Sequence, residues 1–234
     1  MRKQRHPVVP NSEGLLYGDI ILSRELKTRD VPKKSQIEAV QKEHGYSRKE
    51  AYWSHAMLYI GSLHVIESQG WKSKGERNLG VRAIPITFYS DSHEILILRH
   101  KNLASNEDLR RSIVDYALKI NAFGVRKYDF LTGVFAVFGK NRPAPPKQGR
   151  TNCSEFILEC FAMAGLLLVE EYNEVLLGNA FFFPASLYKH GDFEKLRPKY
   201  FRYDDDGLPT SKWRQIIMYG VVMIVIAGLL FYFL

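Results

Sequence analysis

The stretch TNCSEFILECFAMAGLL, residues 151–167, decides how the rest of the chain is read. Thr-Asn ahead of an apolar run marks a helix start, and Ile157, Cys160, Phe161, Ala164 and Leu167 recur at helical spacing. Cys153 falls in the first turn, on or near the buried face. Backbone N–H groups there have no intrahelical acceptor, and the helix dipole presents its positive end. Both favour a thiolate, the nucleophilic form of the side chain. The position suits a structural cysteine equally well, since free Cys is commonly buried and inert. The helix alone leaves both readings open.

The bulk numbers bound the answer. A chain of 234 residues, 46% hydrophobic and 25% charged, suits one globular domain with an ordinary core. A net charge of +8 permits nucleic acid, anionic lipid or acidic substrates as partners. No recognition-helix, zinc-spacing or RNP-like aromatic motif accompanies it, so nucleic acid is not expected as a partner. The two cysteines, Cys153 and Cys160, are separated by about 10 Å of helix, too far for a disulfide. There is no CxxC, and neither a metal nor an organic cofactor is expected.

Upstream, the basic start MRKQRHPVVP lacks the apolar core of a secretory signal. Residues 1–13 read as a basic tail. Gly18-Asp19 leads into Ile20-Ile21-Leu22-Ser23, a buried strand. Residues 24–50 turn polar, with Ile37, Ala39 and Val40 giving a weak apolar face. They read as an exposed insertion with a short helix: a lid, a membrane-facing patch or a solvated loop.

In AYWSHAMLYIGSLHVIESQG, residues 51–70, two apolar runs flank Gly61-Ser62, a hairpin signal. His55 opens the first strand, and parity tests its partners. A two-residue turn at Gly61-Ser62 sets Ser68 opposite His55. A three-residue loop, Ile60 to Ser62, sets Glu67 there, with Gln69 as diagonal neighbour. The second register is preferred, because a carboxylate beside an imidazole fixes its tautomer and stabilises the imidazolium.

Strands are expected over 81–88, with Pro85 marking an edge or bulge, and over 94–99. Ser105 to Asp108 reads as a helix start, with Leu109, Ile113, Tyr116, Ala117 and Ile120 buried and Gly124 past the end. Tyr128 to Phe138 is a short apolar segment. Lys140, Arg142, Lys147 and Arg150 lie in a proline-rich loop leading to Cys153; they suit either an anionic head group or plain solubility. Phe181 to Pro184 reads as a loop and Phe193 to Phe201 as a closing strand.

Residues 216–234 contain no charged side chain. As a helix they cover about 28 Å, close to a bilayer core of about 30 Å. Lys212, Trp213 and Arg214 form a basic and aromatic flank ahead of them. The expectation is a linker over 204–215 and a single-pass transmembrane tail anchor over 216–234. With the cations before the span, the domain at 14–203 is expected to face the cytosol.

In order, the chain therefore carries Gly18-Asp19, Ser54-His55 on a strand, Glu67, Tyr128-Asp129 and Asn152-Cys153-Ser154-Glu155 at a helix start. This set resembles the circularly permuted branch of the NlpC-type papain-like superfamily, the YiiX-like group most closely. Lecithin:retinol acyltransferase and its relatives are more distant kin. The resemblance spans roughly residues 14–200 and places His before Cys, the reverse of papain. It implies an α+β fold with an antiparallel sheet packed on the cysteine-bearing helix. It also implies catalysis by Cys153, His55 and Glu67, where retinol-acyltransferase-like members often carry a His at the third position. The insertion and the tail depart from the family pattern. The function expected is a membrane-anchored thiol hydrolase or acyltransferase, a cysteine peptidase, amidase or lipid acyl hydrolase. It would act on a peptide, an acylated protein or a lipid, with the bilayer as a partner. The alternative is a catalytically silent binding protein that keeps the fold and pocket.

Overall fold

The computed structural model describes residues 8–10, 14–25, 34–69, 80–89, 93–123, 127–128, 150–166, 169–177, 180–198 and 200–202. Among these the elements run β1 (Val8–Pro10), β2 (Ile20–Glu25), α1 (Lys34–Glu43), β3 (His55–Gly61), β4 (His64–Gln69) and β5 (Gly80–Pro85). After a 3-10 turn (Ile86–Tyr89) come β6 (His93–His100), α2 (Glu107–Phe123), β7 (Lys127–Tyr128) and β8 (Arg150–Thr151). The chain continues through α3 (Cys153–Met163), α4 (Val169–Leu177), α5 (Pro184–Lys189), β9 (Phe193–Leu196) and β10 (Tyr200–Arg202). The fold is α+β. Its centre is an antiparallel sheet of six strands in the order β5-β4-β3-β2-β6-β9.

Strand alternation sorts the apolar residues into two layers. Ile20, Leu22, Ala56, Leu58, Ile66 and Leu98 share a core with Phe156, Ile157 and Phe161 of α3 and Ile113 and Ala117 of α2. Ile21, Met57, Tyr59, Val65, Ile95 and Ile97 pack with Leu15, Ile86 and Tyr89. Strands β2 and β3 are thus covered on both sides, which is why Ile20 to Leu22 and Ala56 to Tyr59 are continuously apolar rather than alternating.

The helix α3 is more deeply set than its stripe suggests. Every residue from Cys153 to Phe161 is buried, including Glu155 and Glu159. It is buried all round because β3, β4, α2, α4 and α5 all pack against it. Tyr116 of α2 donates to Glu159 Oε1 at 2.6 Å, which gives that buried carboxylate a partner. The apolar stripe runs on toward Leu167, yet the helix stops at Met163. Gly165 takes φ +75°, and the Gly165 and Leu166 N–H groups return to Ala162 O (2.9 Å) and Phe161 O (3.2 Å). This is a glycine-terminated C-cap that satisfies the last carbonyls.

Several expectations shift on contact with the fold. The helix in 24–50 is α1, and Arg24 and Glu25 belong to β2. The described part of the segment is pinned rather than wholly exposed: Val40 and Gln41 are buried. Gln41 Nε2 donates to Ala51 O and Trp53 O (3.1 and 3.0 Å), while its Oε1 accepts from Ala185 N (2.9 Å). The strand expected over 81–88 ends at Pro85, on the sheet edge, and Ile86 to Tyr89 turn into the second core layer. In α2 the capping side chain is Asn106, whose Oδ1 accepts from Leu109 N at 2.9 Å. Pro184 starts the short helix α5, where a loop was expected. The closing strand divides at Pro198: β9 extends the main sheet, and β10 pairs with β1 of the N-terminal segment.

Asp129 and the loop carrying Lys140, Arg142 and Lys147 lie outside the described residues, as do Gly124, Leu167, the linker at 204–215 and the apolar stretch at 216–234. Among the described residues no helix is long and apolar enough to cross a membrane.

Candidate active site

The hairpin that carries the site is built differently from either register read in the sequence. Its turn residues are Ser62 and Leu63, both at positive φ (48° and 58°), as the turn favoured by twisted hairpins requires. Gly61 pairs with His64, a register shift follows, and Tyr59 and Leu58 then pair with Val65 and Ile66. Continued along the strands, that pairing places Met57 opposite Glu67 and Gln69 opposite His55. Glu67 is therefore the diagonal neighbour of His55 rather than its direct partner. The shift preserves the parity on which the chemistry depends: Glu67 shares a face with His55, and Ser68 points the other way.

The contact follows. His55 Nε2 donates to Glu67 Oε2 at 2.5 Å. Glu67 is 0% exposed and takes two further donors: Arg82 Nε at 2.8 Å, from the residue facing it on β5, and the Tyr89 hydroxyl. The Tyr89 ring also stacks beside the imidazole, with centroids 6.2 Å apart at 29°. Arg82 and Tyr89 escape a sequence reading because nothing local marks them. They converge on Glu67 only through the β4–β5 register and the 3-10 turn after Pro85. Among the described residues Gln69 makes no hydrogen bond to His55.

Cys153 reaches the same imidazole from the opposite layer. Asn152 caps α3 from an extended conformation (φ −92°, ψ 178°), its Oδ1 accepting from Glu155 N at 2.9 Å. Ser68 Oγ donates to Thr151 O at 2.9 Å, and Ser154 Oγ donates to Phe182 O at 2.8 Å. These bonds tie the helix start to β4 on one side and to the approach to α5 on the other. His55, the first residue of β3, is held at the sheet end by the pairing of Ser23 with it and by Ser54 N donating to Ser23 O at 3.1 Å. The Cys153 sulfur lies beside the His55 side chain and the Ala56 backbone N–H, near enough for both to favour its ionised form. With Nε2 engaged by Glu67, the nitrogen left for the sulfur is Nδ1.

The electrostatics are those of a charged row. Burial raises the Cys153 thiol, but the imidazolium charge, the hydrogen bond from His55 and the Ala56 N–H outweigh it and hold the pKa below the usual thiol value. Burial likewise opposes the imidazolium, yet the Cys153 thiolate and then the Glu67 carboxylate lift the His55 pKa to about 10. Glu67, despite burial, is held at about 2 by His55, Tyr89 and Arg82. Tyr89 is raised by burial and by the Glu67 charge, so it remains a donor. The backbone N–H of Cys153, at the first helical position, has no intrahelical acceptor to serve and is placed to meet an oxyanion. Cys160, fully buried two turns on, forms no disulfide and lies outside this row.

No family model, curated protein or solved structure matches the chain.

Proposed function

We propose that the protein is a membrane-anchored thiol hydrolase or acyltransferase of the permuted papain-like type. Cys153 is the nucleophile, His55 the general base and acid, and Glu67 the residue that orients His55. The observation that carries this reading is the unbroken row from Cys153 through His55 to a carboxylate with no solvent exposure. A buried row of ionised groups costs desolvation that apolar side chains would avoid, and such arrangements concentrate at reactive sites. A structural cysteine needs neither the imidazole nor the carboxylate behind it.

In the reaction, the Cys153 thiolate attacks an amide, ester or thioester carbonyl, and a C–S bond forms. The carbonyl oxygen takes the negative charge and meets the Cys153 N–H. His55 Nδ1 gives its proton to the leaving amine, alcohol or thiol as that bond breaks. Water, or an acceptor nucleophile, then loses a proton to His55 and attacks the thioester, which releases the acyl group and restores Cys153. Glu67 keeps Nε2 protonated throughout, so Nδ1 is the nitrogen that cycles.

The experiment is turnover of a peptide, ester and acyl-lipid panel by single variants. Cys153→Ala should abolish activity while the thermal midpoint holds. His55→Ala should cost at least about a hundredfold, and Cys160→Ala should leave the rate near wild type. Undiminished turnover by Cys153→Ala overturns the thiol mechanism. Glu67→Gln should slow the reaction roughly a hundredfold and destabilise by about 3 kcal/mol, because Arg82 loses its buried counter-charge.

A further inference from the structure

The end of the sheet that carries His55 also carries a groove that the reaction above does not use. Its volume is about 870 Å³, within the range of small-molecule sites. Four cations line it: Arg48 and Lys49 from the turn before β3, and Lys195 and Arg197 from β9 and the residue just past it. They come from parts of the chain nearly 150 residues apart, so the fold assembles the cluster and local composition does not. One carboxylate lines the groove, Glu94, and its Oε2 already accepts from Tyr52 OH at 2.5 Å. Lys195 stands over the Tyr188 ring at 4.1 Å. Glu50 lies in the field of Lys195 without lining the groove, and the lining stays strongly cationic. Trp53, 7% exposed, and Ile95 supply an apolar wall.

The groove is close to the candidate nucleophile. Ser23 pairs with His55 on one side and with Ile95 on the other. Two strand spacings, about 10 Å, therefore separate His55 from the groove wall.

We propose that this groove binds the phosphate group of an organophosphate ligand, with Arg48, Lys49, Lys195 and Arg197 as the phosphate-facing side chains. Arginine matches phosphate oxygens in a bidentate fork, and lysine adds point charge. The aromatic and apolar wall takes the carbon portion next to the phosphate. That this phosphate belongs to the acyl substrate rests on the proposed function; that the groove binds phosphate does not.

The test measures binding rather than turnover, on the full chain carrying Cys153→Ala in neutral detergent. Inorganic phosphate and glycerol 3-phosphate are titrated calorimetrically. Separately, the same protein in phosphatidylcholine vesicles is compared with vesicles containing phosphatidic acid, read by Trp53 fluorescence with the other two tryptophans replaced by Phe. Glycerol 3-phosphate should bind, and Arg48→Ala or Arg197→Ala should each weaken it about fivefold. Lys119→Ala, an exposed cation on α2, should change nothing, and affinity should fall as salt rises. A Trp53 response confined to phosphatidic acid vesicles assigns the phosphate to a lipid head group; a response to glycerol 3-phosphate alone assigns it to a soluble ligand. No binding of either probe overturns the proposal, as does equal weakening by Lys119→Ala, which would mean general charge attraction. A failed thiol mechanism leaves these readings intact, because none of them uses Cys153.

Discussion

At the residue scale, Glu67 organises the site. A carboxylate with no solvent exposure must find donors, and it has an imidazole, a guanidinium and a phenol. Linkage turns this into a pH dependence of stability. Glu67, lowered from 4.5 to about 2, contributes stability above pH 4.5 that is lost as pH falls through about 2. His55, raised from 6.5 to about 10, contributes fully below 6.5 and loses its contribution as pH rises through about 10. Cys153, lowered from 9.0, contributes fully above 9.0 and loses its contribution as pH falls through its depressed value. Below 9.0, wherever both groups are shifted, the last two slopes oppose one another, so denaturant stability should be flat over that overlap and fall above 9.0. Urea midpoints across pH check this. The plateau should be replaced by a different profile in the His55→Ala, Cys153→Ala double variant; an unchanged profile would show that the pair is not ionised in the folded state.

At the element scale, the β3–β4 hairpin sets which side chain faces the imidazole. Gly61, at φ +96°, supplies the backbone conformation that the register shift uses. A Cβ added there meets nothing within 4 Å, so Gly61→Ala isolates the backbone cost. It should destabilise by about 1 kcal/mol in denaturant unfolding, with His55–Glu67 chemistry retained. A neutral result would mean that the turn relaxes freely and does not fix the register. This is also where the sequence is most and least informative. Parity narrows the partner of His55 to Ser68 or Glu67, the chemistry of a carboxylate beside an imidazole chooses Glu67, and the Asn-Cys helix start is legible from its cap. The register shift is not legible, since an extra residue at Ile60-Gly61 leaves the apolar alternation beyond it unchanged. Arg82 and Tyr89 stay hidden for a related reason: their approach to Glu67 depends on how β5 aligns with β4. The burial of α3 on every side is likewise a property of the five elements around it and not of its own stripe.

At the scale of the whole molecule, the two-sided core places the Cys153–His55–Glu67 row at one end of the six-stranded sheet. The basic groove lies at that same end of the sheet, two strands from His55. The apolar stretch at 216–234 is proposed to hold this domain at a membrane, where a linker of 12 residues reaches at most about 40 Å. Proximity of that kind raises the effective concentration of a membrane-borne substrate without adding a contact in the site. A chain ending at Pro209 should be soluble without detergent, while the full chain should stay with membranes through a high-salt wash. Release of the full chain by salt would point to peripheral attachment through its net charge and would remove the anchor from the account.

The central claim is that Cys153 rests as a thiolate paired with His55. Its most direct test is the pH dependence of alkylation of the intact protein by iodoacetamide, followed site by site by mass spectrometry. The account predicts that Cys153 reacts along a profile whose midpoint lies well below the ordinary thiol value of 9.0 and whose upper limb breaks at about 10 as His55 loses its proton. His55→Ala should return the midpoint to the alkaline range, and Cys160 should stay silent under native conditions. A Cys153 that reacts only on the alkaline side, with or without His55, would contradict the claim and leave a buried structural cysteine in its place.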